Sequence, residues 1–67
     1  MSYLVGDVVL DFGDKVIIRW PDRTETKAVF KDSVGYSHFF SDDDEKEIRL
    51  TNHFMRLKGI YVRKDEE

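Results

Sequence analysis

The chain has no cysteine, which excludes a disulfide and any thiolate zinc site. Two histidines are too few for a histidine-rich metal centre. No apolar run approaches the roughly 20 residues of a membrane span, and residues 1–6 lack the basic region and apolar stretch of a signal peptide. With cysteine also absent, we expect a cytoplasmic location. A basic surplus is missing too. There are 14 acidic and 11 basic residues, a net charge of −3, which weighs against a generic duplex nucleic-acid binder, a local basic stripe aside. No catalytic motif is present and no cofactor or metal is implied, so we expect a protein that is not an enzyme.

What remains is a 67-residue chain rich in aromatics, which argues against intrinsic disorder. A chain of this size buries only about 60% of its unfolded surface. Either its thin core suffices, or a second copy or a partner acts as the staple that small domains usually need.

Residues 5–30 organise the reading. Leu4 to Leu10 alternates as a first strand, with Gly6-Asp7 as strand entry or bulge. Residues 11–14 form a turn, since Asp bonds nearby backbone and Gly accepts positive φ. Residues 15–20 are the strongest strand, with Val16, Ile17 and Ile18 in succession. Pro21 cannot continue a central ladder, so residues 21–23 turn. Residues 24–30 resume the alternation. Val8, Leu10, Val16, Ile18, Trp20, Ala28 and Phe30 share one parity and form the expected core face. Val9, Ile17 and Val29 interrupt the charged opposite face. Either a curved sheet covers this trio with its terminal strand, or it is a contact for a dimer or partner.

Further on, residues 31–35 read as a loop, 36–40 as a fourth strand, and 41–46 as a solvated acidic turn. Residues 47–51 form a short strand with Ile48 and Leu50 inward. Thr51-Asn52 caps one helical or 3₁₀ turn over residues 53–55. Residues 56–63 form the last strand, with a bulge or kink near Gly59 where the apolar parity shifts. The ends, residues 1–3 and 64–67, are expected to fray or to form a charged tail. A helix over residues 42–54 competes, because Ser41 and Asp44 imitate a capping box, but Leu50 and Leu57 leave the face set by Ile48. The pattern points to an all-β fold: one small antiparallel barrel of five or six strands.

The meander also resembles a known family. Gly6-Asp7-x-Val9, then Val16-x-Ile18-x-Trp20-Pro21-Asp22, then a strand rising to Ala28-Val29, is similar to SH3-like barrels of the Tudor and chromo-barrel type. The chain departs from that pattern at Arg23, where the family commonly has a turn glycine, and lacks the tyrosine often found on the third strand. The resemblance therefore implies the barrel rather than an aromatic cage for methylated side chains.

Ser37 and His38 are adjacent, so in a strand they face opposite ways and do not form a nucleophile–base pair. His38 shares parity with Tyr36 and Phe40, which places all three in the core, the histidine bonded to backbone. His53 is expected to be exposed. Asp42, Asp43, Asp44 and Glu45 lack the spacing of a calcium loop; they read as a wet turn, and next as a negative patch for a basic partner, imitating phosphates. Phe39 and Tyr61 have the parity opposite to their core neighbours. Exposed aromatics flanked by charge anchor interfaces. The expected function is a non-catalytic interaction module, a regulator or nucleic-acid-mimicking inhibitor. It would bind a basic protein, or its own copy as a homodimer, through Phe39, Tyr61 and residues 42–45. The alternative is a barrel for single-stranded nucleic acid, stacking bases on aromatics beside Arg19, Arg23, Lys27, Arg49, Arg56, Lys58 and Arg63.

Overall fold

Alternation with period two builds most of this chain, and a computed structural model describes residues 2–65 of it. The strands are β1 (Tyr3–Val5), β2 (Val8–Leu10), β3 (Lys15–Arg19), β4 (Glu25–Val34), β5 (Ser37–Asp42), β6 (Glu47–Thr51) and β7 (Tyr61–Lys64), with one helix, α1 (Asn52–Lys58), before β7. β1 and β2 pair as a two-stranded sheet; the others form a five-stranded sheet in the order β6-β5-β4-β3-β7. Every pairing is antiparallel. The all-β expectation with a short helical segment holds. The expected ragged ends lie partly inside strands, since Tyr3 opens β1 and Lys64 closes β7; residues 1, 66 and 67 lie outside the described residues.

Pairing of Val16 with Ala28 sets the expected parity, and Leu10, Val16, Ile18, Ala28 and Phe30 are buried. Val8 and Trp20 pack against this core half-buried. The Trp20 indole N–H stays satisfied by donating to Thr26 Oγ1 at 2.8 Å. Val5, Phe40, Leu50, Met55 and Ile60 complete the core. Phe30 lies at its aromatic centre, with ring centroids of Tyr3, Phe12, Phe40 and His38 at 6.0, 5.4, 5.5 and 6.3 Å.

Four expectations are corrected. Residues 4–10 are not one strand but a hairpin, because Gly6 takes φ 60 and only Gly6-Asp7 separates the paired Val5 and Val8, the signature of a two-residue turn. Residues 31–35 are not a loop: β4 continues to Val34, with Lys31 and Asp32 bulging opposite Phe39. Gly35-Tyr36 is the next hairpin turn, between the paired Val34 and Ser37. Tyr36 therefore sits at a tip, 84% exposed, rather than in the core. Finally, Gly59 marks no bulge. Its left-handed conformation (φ 74) ends α1, as C-terminal glycines commonly do. The helix, whose first turn is capped by Thr51 Oγ1 accepting from Phe54 N–H at 3.0 Å, thus takes residues 56–58 from the expected last strand.

Two hairpins share a strained design. At residues 20–24, Trp20 N–H donates to Thr24 O at 2.9 Å and Arg23 N–H to Trp20 O at 2.9 Å. At residues 42–46, Asp42 N–H donates to Lys46 O at 3.0 Å and Glu45 N–H to Asp42 O at 3.0 Å. The third loop residue is left-handed in each, Arg23 at φ 73 and Glu45 at φ 61, where a Cβ is unfavourable. Arg23→Gly and Glu45→Gly are each expected to raise stability by about 0.5–1 kcal/mol. Urea unfolding midpoints check this, and a lower midpoint for both variants would refute the strain assignment.

Candidate functional site

The Gly6-Asp7 turn, α1 and β7 enclose a groove of about 260 Å³ lined by Leu4, Asp7, Met55, Arg56, Tyr61 and Val62 among others. Pairing with Val9 puts Leu4 on the outward face of its hairpin, 62% exposed. Gly59 turns the chain so that Tyr61 opens β7 opposite Arg19, and Tyr61 is 63% exposed. Met55, the buried residue of α1, lies beneath. The groove thus has an apolar floor, two exposed apolar side chains, and one charge of each sign in Asp7 and Arg56.

A chain of side-chain hydrogen bonds holds one edge of this groove. Asn52 Oδ1 accepts from Gly6 N–H at 2.9 Å and lies 3.1 Å from His38 Nε2. His38 Nδ1 lies 3.0 Å from Ser33 Oγ. One arrangement satisfies every atom: a neutral ring donates from Nε2 to Asn52 and accepts at Nδ1 from the Ser33 hydroxyl. His38 is only 3% exposed, and burial pushes its pKa down, with the Asn52 bond opposing in part. The expected backbone partner is thus replaced by two side chains. Ser33, His38 and Asn52 are in hydroxyl–imidazole–amide sequence, but the imidazole is closed to solvent. Its evident work is to pin the β1–β2 turn to the start of α1.

The residues singled out from sequence are dispersed. Phe39 is half-buried on the outer face, in register with Asp32 and Arg49. Tyr61 shares a row with Arg19 and Glu25, so seven residues of β4 (32 minus 25) and two intervening strands separate the two aromatics. The acidic loop is divided in role. Asp42 Oδ1 accepts from the Asp44 and Lys46 N–H groups, both at 2.9 Å, and so shapes the turn; Asp43, Asp44 and Glu45 are exposed. Asp43 borders shallow depressions shared with Lys15 and Lys27, so lysines of its own sheet stand beside it. Of the odd-parity trio, Val9 is exposed on the hairpin, whereas Ile17 and Val29 are half-buried on the large sheet. β7 pairs beside Ile17 through Arg63. That guanidinium spans β3 to reach Glu25 at 2.8 Å, and its hydrogen bond lowers the Glu25 pKa. His53 is exposed, as expected.

Leu4 and Asn52 are not candidate site residues from sequence, and Arg56 is one only as a cation of the nucleic-acid alternative, not as a neighbour of Tyr61. Leu4 was hidden by the unrecognised turn at Gly6. Arg56 was assigned to a strand. Asn52 was read only as a cap; the signal for it was a buried histidine in need of partners. Among the described residues no helix is long and apolar enough to cross a membrane. Comparison with protein-family models, curated proteins and solved structures gave no match.

Proposed function

We propose that the chain is a non-catalytic interaction module that docks a protein partner in the groove between the β1–β2 turn and β7. One observation carries this: Leu4 and Tyr61, both largely exposed, line the same pre-formed groove. Large side chains at low entropic cost are the usual anchors of interfaces. Asp43, Asp44 and Glu45 lie outside the groove and supply long-range steering toward a basic surface rather than contact. Phe39 adds apolar area on the outer sheet face for a partner large enough to reach it. The return of β7 to β3 after a helical segment supports an SH3-like barrel, and the left-handed Arg23 supports the Tudor-type meander, whose turn commonly holds glycine there.

A second reading rests on Tyr61 and Arg56 lining one groove, the pairing that lets a base stack beside a cation in single-stranded nucleic-acid sites. The two are separated by binding an immobilised basic protein and a labelled oligonucleotide at low and high salt. The protein-docking reading expects retention on the basic protein that falls with salt. It expects a further loss of about tenfold or more on Tyr61→Ala, with circular dichroism unchanged because the side chain is exposed. No retention at low salt would sink it, and oligonucleotide binding lost in both Tyr61→Ala and Arg56→Ala would favour the second.

A further inference from the structure

β6 is the outermost strand of the five-stranded sheet, next to β5. Among the described residues no backbone hydrogen bond outside the β5 ladder involves residues 47–50, and Thr51 turns its carbonyl to the start of α1 as its N-cap. An open edge of this kind is a template for another strand. Its side chains alternate cleanly: Glu47 and Arg49 are exposed on the outer face, while Ile48 is half-buried and Leu50 buried on the core face.

We propose that β6 pairs antiparallel with β6 of a second copy about a two-fold axis at Ile48, joining the two sheets into one. Only the register centred there is self-complementary. It sets Glu47 opposite Arg49 of the second copy and, by symmetry, Arg49 opposite Glu47, so both cross-strand pairs are of opposite charge. A centre at Arg49 would set two guanidiniums face to face, and like charges directly opposite are destabilising. A slip by one residue would turn Ile48 to the charged face.

The rows of the sheet support the same register. On the core face, Phe30 pairs with Phe40 and Phe40 with Ile48; the axis continues this apolar row into Ile48, Phe40 and Phe30 of the second copy. Ile48, the member of the row left half-buried, is covered by its own equivalent. On the outer face, Val29, Ser41 and Glu47 form one row, and Asp32, Phe39 and Arg49 the next. The axis joins these two end to end. A 67-residue chain without cysteine thereby gains the oligomeric staple that small folds commonly use. This edge is separate from the groove, and the inference stands whether or not the groove docks a protein.

The experiment is sedimentation equilibrium of the full chain across a wide concentration range. The wild type should show a monomer–dimer equilibrium. Glu47→Arg places arginines opposite each other, Arg49→Glu places glutamates so, and each should weaken dimerisation on the order of tenfold or more. The double variant E47R/R49E restores opposite charges and should recover most of the loss. That rescue would not follow from a local role such as the Arg49 Nε–H bond to Ser37 Oγ at 3.3 Å. A wild type that stays monomeric, single variants that dimerise as well as wild type, or a double variant no better than the singles would each overturn the proposal.

Discussion

Phe30→Ala is expected to cost about 3–5 kcal/mol and to leave most of the chain unfolded at room temperature. Phe30 is fully buried and is one of the two largest such side chains. Its ring meets those of Tyr3, Phe12, Phe40 and His38, so it ties β1, the loop after β2, β4 and β5 together. Truncation removes transfer energy and leaves a void whose walls belong to four separate segments. Against that loss stands the stability of a small domain, roughly 0.05–0.15 kcal/mol per residue. Urea unfolding followed by circular dichroism measures it, with Tyr36→Ala at the hairpin tip as the contrast. The exposed tyrosine should shift stability by no more than about 0.5 kcal/mol. A Phe30→Ala protein that melts within a few degrees of wild type would refute the placement of the core.

Asn52→Ala is expected to cost about 2–3 kcal/mol, because one oxygen serves two donors. Its loss leaves the buried His38 Nε2–H without its acceptor and frees the Gly6 N–H that holds the β1–β2 turn. The same chain of bonds makes folding sensitive to mild acid. The His38 pKa lies below its ordinary value because burial disfavours the charged ring. Above about pH 6.5 the ring is neutral in folded and unfolded chains alike, and stability is at its full value. As pH falls below that, the unfolded chain takes up a proton that the folded one resists, so stability declines until the folded pKa is reached. Asp22 and Glu25 have lowered pKa values, from hydrogen bonds to Thr24 and to Arg63. Their contributions are lost only in the carboxylate range near pH 4, below the histidine window. Urea unfolding at pH 7.5 and 5.5 should show the decline. Asn52→Asp should blunt it, since a carboxylate at the same place favours the charged imidazole. Equal stability at the two pH values in wild type would contradict the buried neutral ring.

The core of the fold was legible where alternation was uninterrupted. Val16, Ile18, Ala28 and Phe30 keep one parity across a turn announced by Pro21-Asp22, so their shared burial followed from spacing alone. Legibility failed wherever a short feature reset the parity. Gly6-Asp7 lies within a run of apolar residues that reads equally as one strand, and the turn there brings Val5 onto the face that Val8 and Leu10 already share. Tyr36 shares parity with His38 and Phe40, but that argument holds only inside a strand, and Gly35-Tyr36 is a turn. Lys31, Asp32, Ser33 and Gly35 carry loop chemistry individually, while cross-strand partners on β5 hold Asp32 and Ser33 in the sheet and Lys31 is taken up by the bulge. Of the candidate groove, Tyr61 was visible from its parity. Leu4, Arg56 and Asn52 were not, since that groove exists only once the first hairpin folds back over α1.

The bulge at Lys31 has a consequence for charge. In an unbroken strand, Phe30 inward would place Asp32 inward and Ser33 outward. One residue of slack exchanges them: Asp32 is exposed and Ser33 meets His38. The extra residue thus works as a selector, admitting a hydroxyl to the histidine and turning away a carboxylate that would hold the ring protonated.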